Sequence, residues 1–269
     1  MKKQLKKKQW IIICLICATA AAIAVLWLTV WNDTGNTAVY DQLRDEVAPV
    51  VIHAPVQEKE SVEIPDPEPV VDTGIREPDR DIDFVALFEK NFDILAWISV
   101  PGTDIDYPLV RSHNNTDYLT YDAYRNYNEA GAIFMDMANR IDFSDRNTVI
   151  YGHNMPNGKM FAGLHKFRDS EFFDQNREVK LYTPEGMRTY EIFAAYTTDD
   201  NNILYYNDFT NDAVWEAYIK KVLENKDLTA NLIQKQIGLN DQIITLSTCV
   251  RNVFDQRFLV QGILIKDAA

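Results

Sequence analysis

From residue 97 onward the chain is a succession of short apolar runs separated by turn residues. Trp97-Ile-Ser-Val100 and Ile105-Asp-Tyr-Pro-Leu-Val110 flank a Pro-Gly turn. Gly131-Ala-Ile-Phe-Met-Asp136 and Asn147-Thr-Val-Ile-Tyr-Gly-His153 are further runs. Val179 to Thr183 and Arg188 to Thr197 are joined by Pro184-Glu-Gly186, the signature of a hairpin. Gln242 to Cys249 and Phe258 to Lys266 close the series. About eight short strands with regular turn signals predict a barrel or a sandwich.

Helical spacing interrupts the strands. Phe84, Leu87 and Phe88 predict a helix capped by Asp81 or Asp83, near the start of the folded domain. Met160, Phe161, Leu164 and Phe167 predict a short helix after His153, and residues 112–121 a further turn. The longest runs from Asp212 to Glu224. There Val214, Tyr218 and Val222 recur at i, i+4 and i+8, with Trp215, Ile219 and Leu223 beside them. No internal repeat is present.

The N-terminal third follows other rules. Trp10 to Trp31 is an uncharged apolar run, long enough for a bilayer core of about 30 Å. Tryptophans bound it, and five lysines precede it, as expected on a cytoplasmic side. A cleaved signal peptide is the alternative, but its apolar core is typically about 7–15 residues. Residues 32–80 hold six of the ten prolines, interleaved with acids, and predict an extended stalk. The expected organisation is a basic cytoplasmic N-terminus (1–9), a single-pass transmembrane anchor (10–31), a Pro-rich acidic stalk (32–80) and an extracellular domain (81–269).

Charge narrows the class of partner. The net charge is −13, and setting aside the five N-terminal lysines leaves −18 for the remainder. Such a body repels nucleic acid, which excludes that class of function.

Cys14 and Cys17 lie in the apolar run and behave as small hydrophobes, so Cys249 is the lone thiol of the expected extracellular part. An unpaired thiol in an oxidising compartment is either an inert buried group or a reactive one. Cys249 ends a strand whose alternation puts Ile243, Thr245, Ser247 and Cys249 on one face. Arg257 opens the next strand. If residues 250–256 turn the chain, the two adjoin at one end of an antiparallel pair. A guanidinium there favours the thiolate and donates to a nascent oxyanion. Arg251 reads as a solvated loop charge. Of four histidines, His53 falls in the stalk and His113 and His165 at polar, surface positions. His153 ends an apolar strand and is the candidate acid or base beside a thiol. The Cys and His residues show no metal-ligand spacing, and no loop has the ligand order of a calcium site.

At these residues the chain resembles a class B sortase. Thr245-Leu-Ser-Thr-Cys249 with Arg257 resembles the family's nucleophile strand, and Tyr151-Gly-His-Asn-Met155 its histidine motif. Ile133-Phe-Met-Asp136, Ile105-Asp-Tyr-Pro-Leu-Val110 and Asn115-Thr-Asp-Tyr-Leu119 resemble the class B versions, in family order over about residues 83–266. The chain departs from the class pattern at Met137-Ala-Asn-Arg140 and at Val250.

The resemblance implies a mainly β fold: a closed eight-stranded barrel with short helices and one longer helix inserted before the nucleophile strand. It implies a cysteine transpeptidase that cuts the C-terminal sorting motif of secreted proteins after threonine. The acyl group then passes through a thioester to a cell-wall (peptidoglycan) amine, without metal or organic cofactor. By the same resemblance Cys249 is the nucleophile, His153 the acid/base and Arg257 the oxyanion partner. Asn115, Leu119 and Ser247, with Leu204 and Tyr205 by a looser match, line the substrate groove. A class B pilin polymerase with a lysine acceptor, a hydrolytic cysteine protease, and a non-catalytic membrane-tethered binding module on the same barrel are the competing readings.

Overall fold

The computed structural model describes residues 19, 35–47, 73–225 and 227–265. The anchor expected over 10–31 lies outside the described residues, Thr19 apart. Among the described residues no helix is long and apolar enough to cross a membrane.

Among the described residues ten strands form one sheet. In chain order they are β1 (Ile75–Arg76), β2 (Ile94–Val100), β3 (Ile105–Val110), β4 (Ile133–Met135), β5 (Asn147–Tyr151), β6 (Glu178–Thr183), β7 (Gly186–Asp199), β8 (Asn231–Leu232), β9 (Ile243–Val250) and β10 (Val253–Leu264). Strand order runs β7-β10-β9-β5-β4-β3-β2-β6, and β6 also pairs with β7. That last pairing closes eight strands into a barrel and leaves no open edge between them. The two-residue strands β1 and β8 attach to β7 from outside the ring. Two pairings, β3–β4 and β5–β9, are parallel; the other pairings of the ring are antiparallel.

Turn chemistry fixes the corners. Gly102, between β2 and β3, has φ +81, and a Cβ there would lie 2.0 Å from Asn176 Oδ1. Only glycine meets both demands. Thr183 pairs with Gly186 across Pro184 and Glu185, as expected for the β6–β7 hairpin.

The helices are α1 (residues 35–47), α2 (Phe84–Lys90), α3 (Ser170–Gln175), α4 (Ile203–Tyr206) and α5 (Asp212–Leu223). Asp83 caps α2, accepting from the Ala86 N–H at 2.9 Å. The helix expected after His153 divides into a 3-10 segment, Phe161–Arg168, and α3, and the turn expected within 112–121 is the 3-10 turn Asp117–Leu119.

Two apolar cores result. One fills the barrel; the other lies between its outer wall and α5. On β10, Phe258 and Val260 face the first core and Leu259 the second, the alternation of a strand covered on both faces. Trp215, Tyr218, Ile219 and Val222 are the buried residues of α5.

The stalk expectation requires correction at both ends. Residues 35–47 are helical, and Tyr40, Leu43 and Val47 are buried on the barrel. Tyr40 packs edge-on against Tyr107 and donates to the Gly131 carbonyl. Arg44 reaches Asp106 at 3.1 Å. Toward the other end, Asp79 accepts from Tyr182 at 2.7 Å, and Arg80 pairs with Asp106. The i, i+3, i+7 stripe of α1 was hidden by the acids Asp41, Asp45 and Glu46, and the helix contains none of the prolines that set the segment's average. Residues 48–72, with most of those prolines, lie outside the described residues.

Candidate active site

Strand direction assembles the site. Because β5 and β9 run parallel, their C-terminal ends lie together: Tyr151 pairs with Ser247, and His153 and Cys249 follow two residues on. The junction is stitched by Gly152 N–H to the Ser247 carbonyl (3.2 Å) and by Thr248 Oγ1 to the Gly152 carbonyl (2.8 Å). A Cβ on Gly152 would lie 2.5 Å from Ile133 and 2.7 Å from the Phe161 ring, so the Tyr-Gly-His sequence leaves room for this close approach. Strand β10 runs antiparallel to β9, which brings its early residue Arg257 directly opposite Cys249. Three side chains, two on β9 and β10 and one just past the end of β5, thus gather at one barrel end. The register shifts between Val253 and Arg257, and the extra residues bulge the loop that separates the two.

These side chains border a cavity of about 230 Å³. Cys249, His153, Arg257, Asn115, Leu119 and Ser247 all line it. Leu204 and Tyr205 do not. Tyr205 is 82% exposed, and Leu204 faces a separate hollow beside Arg146 and Phe209. Their places at the cavity are taken by Asn202 and Ile203, with Asp199 and Asp200.

Cys249 is exposed and unpaired. The His153 Nε2–H donates to the Leu119 carbonyl at 2.8 Å. A carbonyl only accepts, so Nε2 carries the proton and Nδ1 is left as the basic nitrogen. Asn115 does structural duty too, its Oδ1 accepting from the Met137 N–H at 2.8 Å. Arg257 donates through Nη1 to the carbonyls of Phe254 (3.2 Å) and Gln256 (3.0 Å), and its Nη2 lies 3.9 Å from Asp200 Oδ2.

One wall is held by a buried carboxylate. Asp136 accepts from the Tyr151 hydroxyl (2.8 Å), Asn202 Nδ2 (3.0 Å) and the Ala138 N–H (2.9 Å). Asn202 in turn caps α4, accepting from the Tyr205 N–H at 2.9 Å. Asp136 therefore fastens the α4 loop to the barrel. Burial, and then the Asp136 charge and hydrogen bond, push the Tyr151 hydroxyl far above the usual phenol range.

Behind the thiol sits a second histidine. The surface position expected for His165 is corrected here: its ring stacks on Phe258 with centroids 5.0 Å apart and is half-buried. Its Nε2 donates to the Cys249 carbonyl at 3.1 Å, and Asn154 Nδ2 donates to the same carbonyl at 3.0 Å. Nδ1 accepts from Arg168 Nε at 3.2 Å. Burial lowers the His165 pKa from its ordinary value. The Cys249 carbonyl opposes that shift, and the charges of Arg168 and Arg251 reinforce it. No sequence pattern marks His165 or Asn202, since both act through contacts between elements distant along the chain.

A thiol, an imidazole and a guanidinium around one cavity can form, protonate and stabilise an acyl intermediate. The comparisons agree with that inventory. Residues 98–265 match the sortase domain model. Sortase B of Listeria monocytogenes is 35% identical over 183 residues, covering 66% of this chain and 72% of the relative. Sortase B of Staphylococcus aureus is 31% identical over 168 residues, covering 62% and 67%. The crystal structure of Bacillus anthracis sortase B in complex with AAEK1 superposes with a TM-score of 0.69 at 29% identity, over 88% of this chain and 99% of that one. The closed barrel, the cavity at its strand ends and these matches together place the chain in the sortase family, among the class B sortases.

Proposed function

We propose that the protein is a cysteine transpeptidase that joins secreted proteins to the cell wall. The observation that carries this reading is the convergence on one cavity of Cys249 from β9, Arg257 from β10 and His153 from just past the end of β5.

In the first half-reaction the Cys249 thiolate attacks the carbonyl carbon of a threonine in the sorting motif. The oxyanion draws hydrogen bonds from Arg257, whose guanidinium must then exchange loop carbonyls for substrate. His153, which holds at Nδ1 the proton taken from the thiol, gives that proton to the departing amine, and a thioester remains. In the second half-reaction an acceptor amine attacks that thioester. Its proton passes to His153, the C–S bond breaks, and Cys249 leaves as thiolate. Asn115, Leu119 and Ser247 flank the peptide, with Asn202 and Ile203 in place of Leu204 and Tyr205.

The uncharged run over residues 10–31 supports single-pass anchoring, with the lysines cytoplasmic and the barrel outside the cell. The experiment compares the full chain with its Cys249→Ala variant on a panel of Pro-x-Thr peptides and amine acceptors, read by mass spectrometry. Cleavage after threonine with the acceptor attached, by the wild type alone, supports the reading. Cleavage without attachment to any amine overturns transfer and leaves a protease.

A further inference from the structure

A second cavity, of about 440 Å³, is lined by Asn154 and Val250, the residues that next follow His153 and Cys249 of the first. Asn154, His165, Arg168, Val250 and Arg251 line it, and none of its lining residues is a carboxylate. That composition runs against the chain as a whole, whose net charge is −13. The first cavity, by contrast, is lined by Asp199 and Asp200.

The two arginines are not engaged by acids: among the described residues neither makes an ion pair with a carboxylate. Arg168 spends Nε on His165 and Nη2 on Thr197 Oγ1 (3.2 Å), and its guanidinium lies over the Phe258 ring at 4.6 Å. These contacts fix its plane and leave further N–H donors unspent. Arg251 has one long contact, 3.5 Å, to the Met155 carbonyl. A guanidinium held rigid, a second one free to close, and neighbouring polar side chains form the pattern that recognises carboxylate or phosphate.

We propose that this cavity binds an oxyanion, and, resting on the transpeptidase reading above, that the anion is carried by the acceptor amine. The sorting peptide occupies the first cavity when the thioester forms. The acceptor must reach the same carbonyl while that cavity is filled, and the second cavity opens beside the residues that follow Cys249. An acceptor tethered there by its acidic group has its amine delivered to the thioester, which lowers the acceptor concentration needed.

The test titrates the full chain calorimetrically with inorganic pyrophosphate and, separately, with succinate. Saturable binding that weakens with salt, and weakens at least about tenfold in both Arg251→Gln and Arg168→Gln, is expected. The tighter of the two anions tells a phosphate-bearing acceptor from a peptide carboxylate. Absence of saturable binding, or equal binding by the folded Arg251→Gln protein, overturns the site. A kinetic arm compares glycylglycine with glycylglycinamide, which share an amine and differ in the carboxylate. The wild type should show a lower KM for the acid, and Arg251→Gln should abolish that preference. Retention of the preference overturns the acceptor role. If no amine is joined although the peptide is cut, the transfer reading fails, and the titration alone decides the site.

Discussion

His153 Nε2 and the Leu119 carbonyl, 2.8 Å apart, fix the tautomer of the one imidazole that lines the first cavity. The 3-10 turn ending at Leu119 thus contributes twice, with a side chain on the cavity and a carbonyl that points the ring. Nδ1 is the nitrogen left for proton exchange with the thiol and the leaving amine. His153→Gln should lower kcat/KM for peptide cleavage by about 10²–10⁴-fold. Its melting temperature should stay close to wild type, because one hydrogen bond at a half-buried position is lost. Nitrogen chemical shifts of labelled His153 should report a protonated Nε2. A ring protonated at Nδ1 instead would remove this account of its orientation.

Cys249 and Arg257 face each other across β9 and β10. Cys249→Ala should abolish product formation while leaving thermal unfolding unchanged, since the thiol is exposed at a strand end. Arg257→Lys should be nearly as damaging to kcat as Arg257→Ala, at about 10²-fold or more, because one ammonium cannot reproduce a planar fork of donors. Full activity of the lysine variant in steady-state assays would reduce Arg257 to a simple positive charge.

The barrel was legible because each ring strand carries its own apolar run and its own turn residues. The pairing of Cys249 with Arg257 was legible because both belong to one hairpin. The parallel pairing of β5 with β9 was not. It joins segments nearly a hundred residues apart, and no local period encodes which strand lies beside which. For the same reason Asn202 escaped notice while Leu204 and Tyr205 were favoured. The α4 loop has no period to fix its register, and what fixes it is a hydrogen bond to Asp136 from far upstream. His165 looked like a surface residue because its neighbours Lys166 and Arg168 are polar; its ring is covered by Phe258, which lies 93 positions further along.

The Asp136 clasp gives a prediction about binding. Removing the carboxylate in Asp136→Ala leaves the Tyr151 hydroxyl without its acceptor and Asn202 Nδ2 with only a 3.4 Å contact to that hydroxyl. A cost of about 2–4 kcal/mol in urea unfolding is expected for losing hydrogen bonds to a buried charge. The α4 loop should loosen with it, so KM for the sorting peptide should rise more than kcat falls. Asn202→Ala should reproduce the KM effect with a smaller stability loss. An unchanged KM in both variants would mean that the loop is held by other contacts.

Helix α1 makes a prediction about the boundary of the folded unit. Leu43 is about 1% exposed and belongs to the main core. Leu43→Ala should therefore destabilise the protein by about 2–4 kcal/mol, the range for a buried leucine truncation. Deletion of a mere tether would cost nothing. Urea unfolding of the full chain distinguishes the two, and an unchanged midpoint would return residues 35–47 to the role of a spacer.

His165 ties stability to pH in a defined direction. Its pKa in the folded protein lies below the ordinary 6.5, through burial first and then the charges of Arg168 and Arg251. Between the folded pKa and 6.5 the unfolded chain binds more protons, so stability rises with pH across that window. The contribution is complete above the unfolded pKa and is lost as pH falls through the folded one. Protonation would also place a donor at Nδ1 against Arg168 Nε, breaking that hydrogen bond and setting cation against cation. Unfolding free energies measured at several pH values between 5 and 7.5 should fall more steeply toward acid in the wild type than in His165→Gln. The difference in slope is bounded by one proton, and carboxylates common to both proteins cancel from it. Parallel curves would show that the ring titrates alike in the folded and unfolded chains, and the Arg168–His165–Cys249 relay would then make no contribution to pH dependence.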